Sequence, residues 1–326
     1  MRKRLYIYAL VLMAAVSSCE RMPLYDLEQQ AVYLLLTLRL DLDIEIDLDV
    51  DVDVDVEKTI RIPEHNKVLF YGIEDGRLRF TEFVDSTGGA ISTPAGEYDM
   101  VVYSFGTEYV QIRGEGDINT LEAFTSDITA TKLPSLRACT RSSTDEPQGP
   151  IIYPPDHLLV ARERVQIPRM TNVVQNVVLR AMASTIVETY SFEVNTVVGA
   201  EYIESCEAFV TNQARSSFFG RGEVGSDPAT LSFPVGVDRK KGCLYTTFNT
   251  FGKLPGESRS YLHIIVRDTG GEEHYINEDI TDQFGDPEHH IVIDEPVEIP
   301  QPQTHGGGIA PTVKPWDEEQ HDVPIG

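Results

Sequence analysis

From Leu40 to Val56 the chain alternates without a break. Leu40, Leu42, Ile44, Ile46, Leu48, Val50, Val52, Val54 and Val56 are apolar, and every residue between them is Asp or Glu. A period of two predicts a β-strand with its apolar side chains on one face and its acids on the other. Fully extended, this run spans about 50 Å at roughly 3.3 Å per residue, longer than ordinary strands, which predicts a bend or a protruding end. The acids read as a solvated face that repels edge-to-edge pairing. Calcium ligation by this ladder stays open, although calcium sites usually need turns that converge oxygens on one point.

Shorter strands follow at Val68–Tyr71, Leu78–Val84, Glu97–Ser104, Tyr109–Gly114 and Leu158–Val165. Turn signals punctuate them at Glu74-Asp75-Gly76, Thr87-Gly88-Gly89 and Thr93-Pro94-Ala95-Gly96. That rhythm predicts a mostly antiparallel β-sandwich. Residues 134–157, rich in Pro, Ser and Thr, read as a linker loop. The second half continues with strands at Val173–Met182, Ile186–Val194, Thr230–Val237, Leu244–Phe251, Tyr261–Arg267, Glu273–Asn277, Ile291–Ile293 and Val297–Ile299. One helix is expected over Tyr202–Phe219, where Tyr202, Cys206, Phe209, Val210 and Ala214 fall on one stripe. Ile309–Ile325 reads as an extended tail in which Pro311, Pro315 and Pro324 remove ladder donors, as suits an edge.

The first residues change the picture. Arg2, Lys3 and Arg4 precede the apolar stretch Leu5–Val16, and Val16-Ser17-Ser18-Cys19 places small residues before a cysteine. This is the pattern of a lipoprotein signal peptide, too short to cross a bilayer as a helix of about 20 residues. Cleavage before Cys19 would leave an acylated, palmitate-bearing N-terminus. The expected divisions are a signal peptide at 1–18, a tether at 19–31, an N-terminal β-sandwich with the acidic strand and linker at 32–157, a C-terminal β-sandwich at 158–303 and a tail at 304–326.

The formal charge of −25 over 326 residues argues against nucleic acid, whose phosphates need Lys and Arg. It argues equally against broad adhesion to anionic lipid. Membrane attachment would rest on the acyl chains, at about 0.8 kcal/mol per buried methylene. Of the four cysteines, Cys139, Cys206 and Cys243 remain beside Cys19. Cys206 with Cys243 as a disulfide and three separate thiols are both open.

Catalytic chemistry finds little footing. Gly220-Arg221-Gly222-Glu223-Val224-Gly225 matches a dinucleotide fingerprint in letters, but it would follow a helix instead of joining a strand to a helix. His289-His290, near Asp286, Glu288 and Asp294, would point to opposite faces of an extended segment and not chelate together. No nucleophile-elbow, zinc-protease or catalytic-cysteine signature is present. No catalytic residue, cofactor or metal ligand is assigned. Tyr98, Tyr103, Phe105 and Tyr109 lie close in sequence, but strand alternation divides them between faces.

Two segments resemble a known family. One runs from Gly88-Gly89-Ala90-Ile91-Ser92-Thr93-Pro94-Ala95-Gly96-Glu97-Tyr98-Asp99 through Tyr103 to Thr107-Glu108-Tyr109. The other runs from Ile291-Val292-Ile293-Asp294-Glu295-Pro296-Val297-Glu298-Ile299-Pro300 to Trp316-Asp317 and Asp322-Val323-Pro324-Ile325. With the Val16–Cys19 start, they resemble a Bacteroidales lipoprotein family of unassigned function that is similar to the fimbrillins and fimbrial anchor proteins of type V pili. The resemblance implies a mainly β chain of two tandem transthyretin-like antiparallel β-sandwich domains, the expected helix lying in the second. It implies a non-catalytic lipoprotein anchored in the outer membrane and exposed at the surface, with other pilus subunits as partners through strand addition.

In such pilins a protease cuts after an Arg near the first strand; Arg39 and Arg61, flanking the acidic run, are the residues in that position here. The tail residues Ile309, Val313, Trp316, Val323 and Ile325 would pair with another subunit or fold back on their own domain. The Asp-Val expansion departs from the family pattern, and Glu20-Arg21-Met22 lacks an acidic export tag. A surface lipoprotein that binds glycan or host protein on the same scaffold is the alternative.

Overall fold

The computed structural model describes residues 38–45, 64–140, 149–168, 177–256 and 258–302. In chain order the elements are β1 (Leu38–Glu45), β2 (His65–Gly72), β3 (Leu78–Asp85), β4 (Gly88–Ile91), β5 (Gly96–Ser104), β6 (Val110–Arg113), β7 (Glu122–Thr125), helix α1 (Thr129–Cys139), β8 (Ile151–Ile152), β9 (Leu159–Ile167) and β10 (Val177–Thr185). They continue with β11 (Glu188–Val194), β12 (Val197–Val198), β13 (Ile203–Ala214), β14 (Ser216–Phe218), β15 (Glu223–Val224), β16 (Pro228–Pro234), β17 (Gly236–Asp238), β18 (Cys243–Thr250), β19 (Tyr261–Asp268), β20 (Glu273–Asp279), β21 (His290–Ile293) and β22 (Val297–Glu298). The protein is mainly β, with multiple largely antiparallel sheets.

Seven strands close a barrel in the order β1, β10, β9, β5, β2, β3, β4. Alternation along its central strands feeds two cores. Val68, Phe70, Met100, Val102, Leu159 and Ala161 fill the barrel. The residues between them, Leu69, Tyr71, Val101, Tyr103 and Val160, are buried outside it. A strand buried on both faces loses its polar alternation and reads as a continuous apolar run, as Val68-Leu69-Phe70-Tyr71 does. Strands from both sides of residue 157 share this barrel, since β9 and β10 belong to it.

The outer core is shared between distant parts of the chain. Against Leu69, Tyr71, Val101 and Tyr103 lie Val187, Ala214, Phe219 and Phe251. Tyr103 and Phe219 meet edge to face at 5.5 Å. A four-stranded sheet, β15-β14-β7-β6, covers this core; Ser216 pairs with Phe124 and Ser217 with Ala123. Arg113 grips the buried Glu122 beside that seam, at 2.5 and 2.9 Å. Burial pushes the Glu122 carboxyl up, but hydrogen bonds from Arg113 and Ser216 outweigh it and hold it below the usual range. The turn after β6 is tied down by Lys67, which donates to both Glu115 carboxylate oxygens at 2.7 Å. Tyr103 also donates to that carboxylate, and Tyr71 to the Glu115 carbonyl.

The second large core lies between two sheets, β17-β18-β11-β21 and β20-β19-β13-β16-β8. Tyr190, Phe192, Leu244 and Phe248 from the first meet Val210, Leu231, Phe233 and Ile264 from the second. The short pair β12 and β22 closes one end. There Gly199 sits at φ +83°, and a Cβ would lie 2.0 Å from the Ile299 carbonyl oxygen, so only glycine fits.

Three expectations are corrected. Tyr202–Phe219 is not an α-helix: Tyr202 ends a single 3-10 turn and the stretch after it carries β13 and β14. Phe209 is buried beneath α1 while Ala208 and Val210 face the inter-sheet core, so both faces are apolar and the spacing mimics a helical stripe. A register shift between Val210 and Gln213, with Asn212 at φ +57°, further breaks the period of two. The helix among the described residues is α1, in the stretch read partly as a linker. The Asp127 carboxylate accepts the Thr129 amide at 2.8 Å at its start, and Leu136 and Cys139 are buried against Phe209 and Ile265. Pro134 lies inside it and masks it, because proline normally marks a break. The Gly220–Gly225 stretch is the turn and second strand of a β14–β15 hairpin, not the sequel to a helix. Cys139, Cys206 and Cys243 are buried free thiols.

Phe219→Ala should cost about 3–5 kcal/mol by opening the shared core. Urea denaturation should show the loss as one earlier transition, not as unfolding of one part with the other unmoved.

Candidate functional site

β1 is the first candidate. All eight of its residues run parallel to β10, from Leu38 opposite Val177 to Glu45 opposite Ser184. Leu38–Asp41 also pair antiparallel with Ile91–Gly88 of β4. β10 meets β9 through only two register pairs, so most of the pairing of β10 comes from β1. The barrel is thus closed between β4 and β10 by one strand held through main-chain bonds on both sides. The sequence placed Arg39 ahead of the acidic strand. The structure puts it inside, opposite Ala90 and Val178, because the ladder begins at Leu38. A cut after Arg39 would sever β1 behind its second residue. Cys19, Arg61, Ile309, Val313, Trp316, Val323, Ile325 and residues 46–56 of the acidic run lie outside the described residues.

A second candidate was not found from sequence. A cleft of about 470 Å³ opens between the Tyr109 turn, α1 and the β13-β16-β18 region. Phe233 and Phe248, stacked at 4.5 Å, lie among its lining residues. On its wall Glu207 accepts from Lys132 at 2.5 Å and Ser232 at 2.7 Å. Tyr109 and Tyr153 pack ring to ring at 4.8 Å, each more than a third exposed, at 36% and 37%.

The segment Tyr153–His157 is fixed from both sides. Thr125 donates to the Tyr153 carbonyl at 2.8 Å and Asn249 to that of Pro155 at 2.9 Å. The Asp156 carboxylate accepts the amides of Tyr109 and Val110. His157 bonds through its two ring nitrogens to Thr185 and Thr189. The Tyr-Pro-Pro-Asp stretch was the available signal, since two prolines restrict the backbone that carries the aromatic residue.

The four clustered aromatics part company, as alternation requires. Tyr98 packs on Phe70 and Phe80 and Tyr103 is buried on Phe219. Phe105 sits in an exposed group with Phe83 and His65, and Tyr109 joins the cleft. His289 stacks on Tyr190 at 4.5 Å, while His290 meets the Ser191 hydroxyl at 2.6 Å. Among the described residues no group of three or more His, Cys, Asp or Glu is placed to hold a metal. None of their helices is long and apolar enough to cross a membrane. Burial, and then the Glu207 charge, push the Cys206 thiol up to about 12, which leaves no thiolate at neutral pH.

Burial holds the His157 pKa below its ordinary value of about 6.5, with Asp156 only partly opposing. The unfolded chain therefore takes up a proton first, and stability should fall as pH drops from about 6.5 toward the lower folded value. His157→Gln should flatten that limb of a melting-temperature profile; an unchanged profile would assign the loss to other groups.

Comparison with known proteins follows the same architecture. A relative from Bacteroides ovatus, "Putative fimbrium anchoring subunit Fim4B", is 24% identical over 307 residues, covering 82% of this chain and 86% of the relative. A crystal structure described as a putative adhesin from Bacteroides ovatus superposes with a TM-score of 0.58 at 21% identity, covering 86% of this chain and 97% of that one. The fimbrial anchor protein Mfa2 from Porphyromonas gingivalis gives 0.47 at 12% identity over 78% of this chain and 90% of its own. The resemblance to fimbrial anchor and adhesin-like proteins read from Gly88–Tyr109 and Ile291–Ile325 is thus found over most of the chain. Residues 42–234 match the model of the family described as a domain of unknown function (DUF5119), and the chain belongs to that family.

Proposed function

We propose that this protein is a non-catalytic fimbrial subunit or anchor at the cell surface, of the type V pilus kind, acting in assembly or adhesion through strand-mediated contacts. It would be a lipoprotein held in the outer membrane by acyl chains on Cys19, with residues 1–18 removed as signal peptide. Its two parts would be tandem transthyretin-like β-sandwiches, divided after β10 and not near residue 157, since β9 and β10 belong to the barrel, and its partners would be other pilus subunits. The observation that carries the reading is β1. One strand, held by main-chain pairing between β4 and β10, is the kind of element that strand addition exchanges, because backbone bonds give affinity whatever the side chains and alternate side chains fix register. The relative's printed name, a fimbrium anchoring subunit, agrees with it. Arg39, inside β1, and Arg61 are the proposed processing points. Ile309, Val313, Trp316, Val323 and Ile325 are the proposed assembly tail.

The test begins at the N-terminus. Mass spectrometry of the membrane pellet should find an acylated Cys19, and Cys19→Ala should move the protein into the soluble fraction; a variant that still floats with membranes would sink the lipid assignment. Material sheared from intact cells should begin at Leu40 or Ile62 if the chain is processed into a fibre. The acylated form confined to the pellet would instead mark an unprocessed anchor. A chain present in neither place would remove it from the envelope altogether.

A further inference from the structure

We propose that the cleft bordered by Tyr109 and Tyr153 binds a neutral sugar, one or two pyranose rings in size. None of its lining residues belongs to β1, and the inference stands apart from the one drawn from that strand.

Four observations point to that ligand. At about 470 Å³ the cleft falls in the size range of small-molecule pockets, roughly 300–1,000 Å³. Its rim is a rigid aromatic surface. Tyr109 and Tyr153 pack with their rings tilted by 30° yet partly open, Tyr153 on a chain segment stiffened by Pro154 and Pro155 and tied by Asp156 to the Tyr109 and Val110 amides. Such a surface needs no reordering to receive the apolar C–H face of a pyranose, and preorganisation lowers the cost of binding. The wall offers fixed donors and acceptors. Glu207 is oriented by Lys132 and Ser232. Asn249 is held between the Thr189 hydroxyl and the Pro155 carbonyl. Apolar lining with a few oriented polar groups is how such pockets set ligand orientation.

The charge balance excludes an anionic ligand. Lys132, the one cation among the lining residues, is neutralised by Glu207, while the Asp156 carboxylate, bonded to two backbone amides, and Glu108 beside Tyr109 are acceptors suited to the hydroxyls of a neutral sugar. A proline-rich peptide would need a row of aromatics along an open groove; here a single tyrosine pair borders a cleft in which Phe233 and Phe248 lie buried.

The experiment is saturation-transfer NMR on the full chain with lactose, maltose and diacetylchitobiose, followed by calorimetric titration of those that respond. At least one should bind in the millimolar range or tighter. Tyr109→Ala and Tyr153→Ala should each weaken it about tenfold, Tyr153→Phe should keep it, and Tyr275→Ala, on β20, should leave it unchanged. Bound sugar should also slow nitration of Tyr109 and Tyr153 in the unmodified protein, which tests the site even if an alanine variant unfolds. Silence from all three sugars would overturn the proposal. So would binding indifferent to both tyrosines, or a proline-rich decapeptide that binds where the sugars do not.

Discussion

The structure depends on one seam. Ser216 and Ser217 pair with Phe124 and Ala123, and beneath that pairing Phe219 rests on Tyr103. Without it, Leu69, Tyr71, Val101 and Tyr103 would form an apolar outer wall on the barrel with nothing to cover it, a patch that folded monomers rarely expose. The seam makes the barrel and the second pair of sheets share a core. It is also costly to form, because its residues are more than ninety positions apart in sequence and the intervening chain must be closed before the contact contributes. The Arg113–Glu122 grip and the Lys67–Glu115 tie lie beside this core. Both carboxyls are drawn down against the effect of burial by their cationic partners. Removing one partner would leave the other half-buried and uncompensated.

What could be read from the sequence was what local patterning determines. The strands around Val68–Tyr71, Leu78–Val84, Glu97–Ser104 and Tyr261–Arg267 stand where alternation and Gly/Pro punctuation put them. β13 failed because it is covered on both sides, by α1 and by the facing sheet, so periodicity carried no information about which face is inside. α1 failed because its stability comes from Leu136 and Cys139 meeting Phe209 and Ile265, contacts that lie far away in sequence, while Pro134 speaks locally against it. The seam itself has no local signature. Nor has the cleft: Tyr109 and Tyr153 come from segments separated by β6, β7, α1 and β8, and each alone is an ordinary exposed tyrosine.

β1 sits between these cases. Its alternation was plain, and strand character over Leu38–Glu45 agrees with it. Its neighbours were not readable, since parallel pairing with β10 joins residues well over a hundred positions apart, and the pleat says nothing about which edge a strand will fill. Arg39 shows the difference. Composition ends the acidic run at Leu40, but the hydrogen-bond ladder takes in Leu38 and Arg39, because backbone pairing does not depend on side-chain charge.

The two proposed surfaces share no lining residue and are joined by the bond from His157 to Thr185 at the end of β10. The cleft is lined from the Tyr109 turn, α1, the Tyr153 segment and strands β13, β16 and β18; none of its residues belongs to β1, β4 or β10. Between them lies the outer core, which holds β2, β5 and β9 from one side whatever occupies the slot between β4 and β10. Exchange of β1 would therefore alter the barrel interior around Leu179, Ala181 and Ala183, while the Tyr153 segment keeps its ties to Thr125, Asn249 and Thr189. A chain that hands one strand position to a neighbour needs such a division, because a binding site lined by the exchanged strand would change with every assembly step.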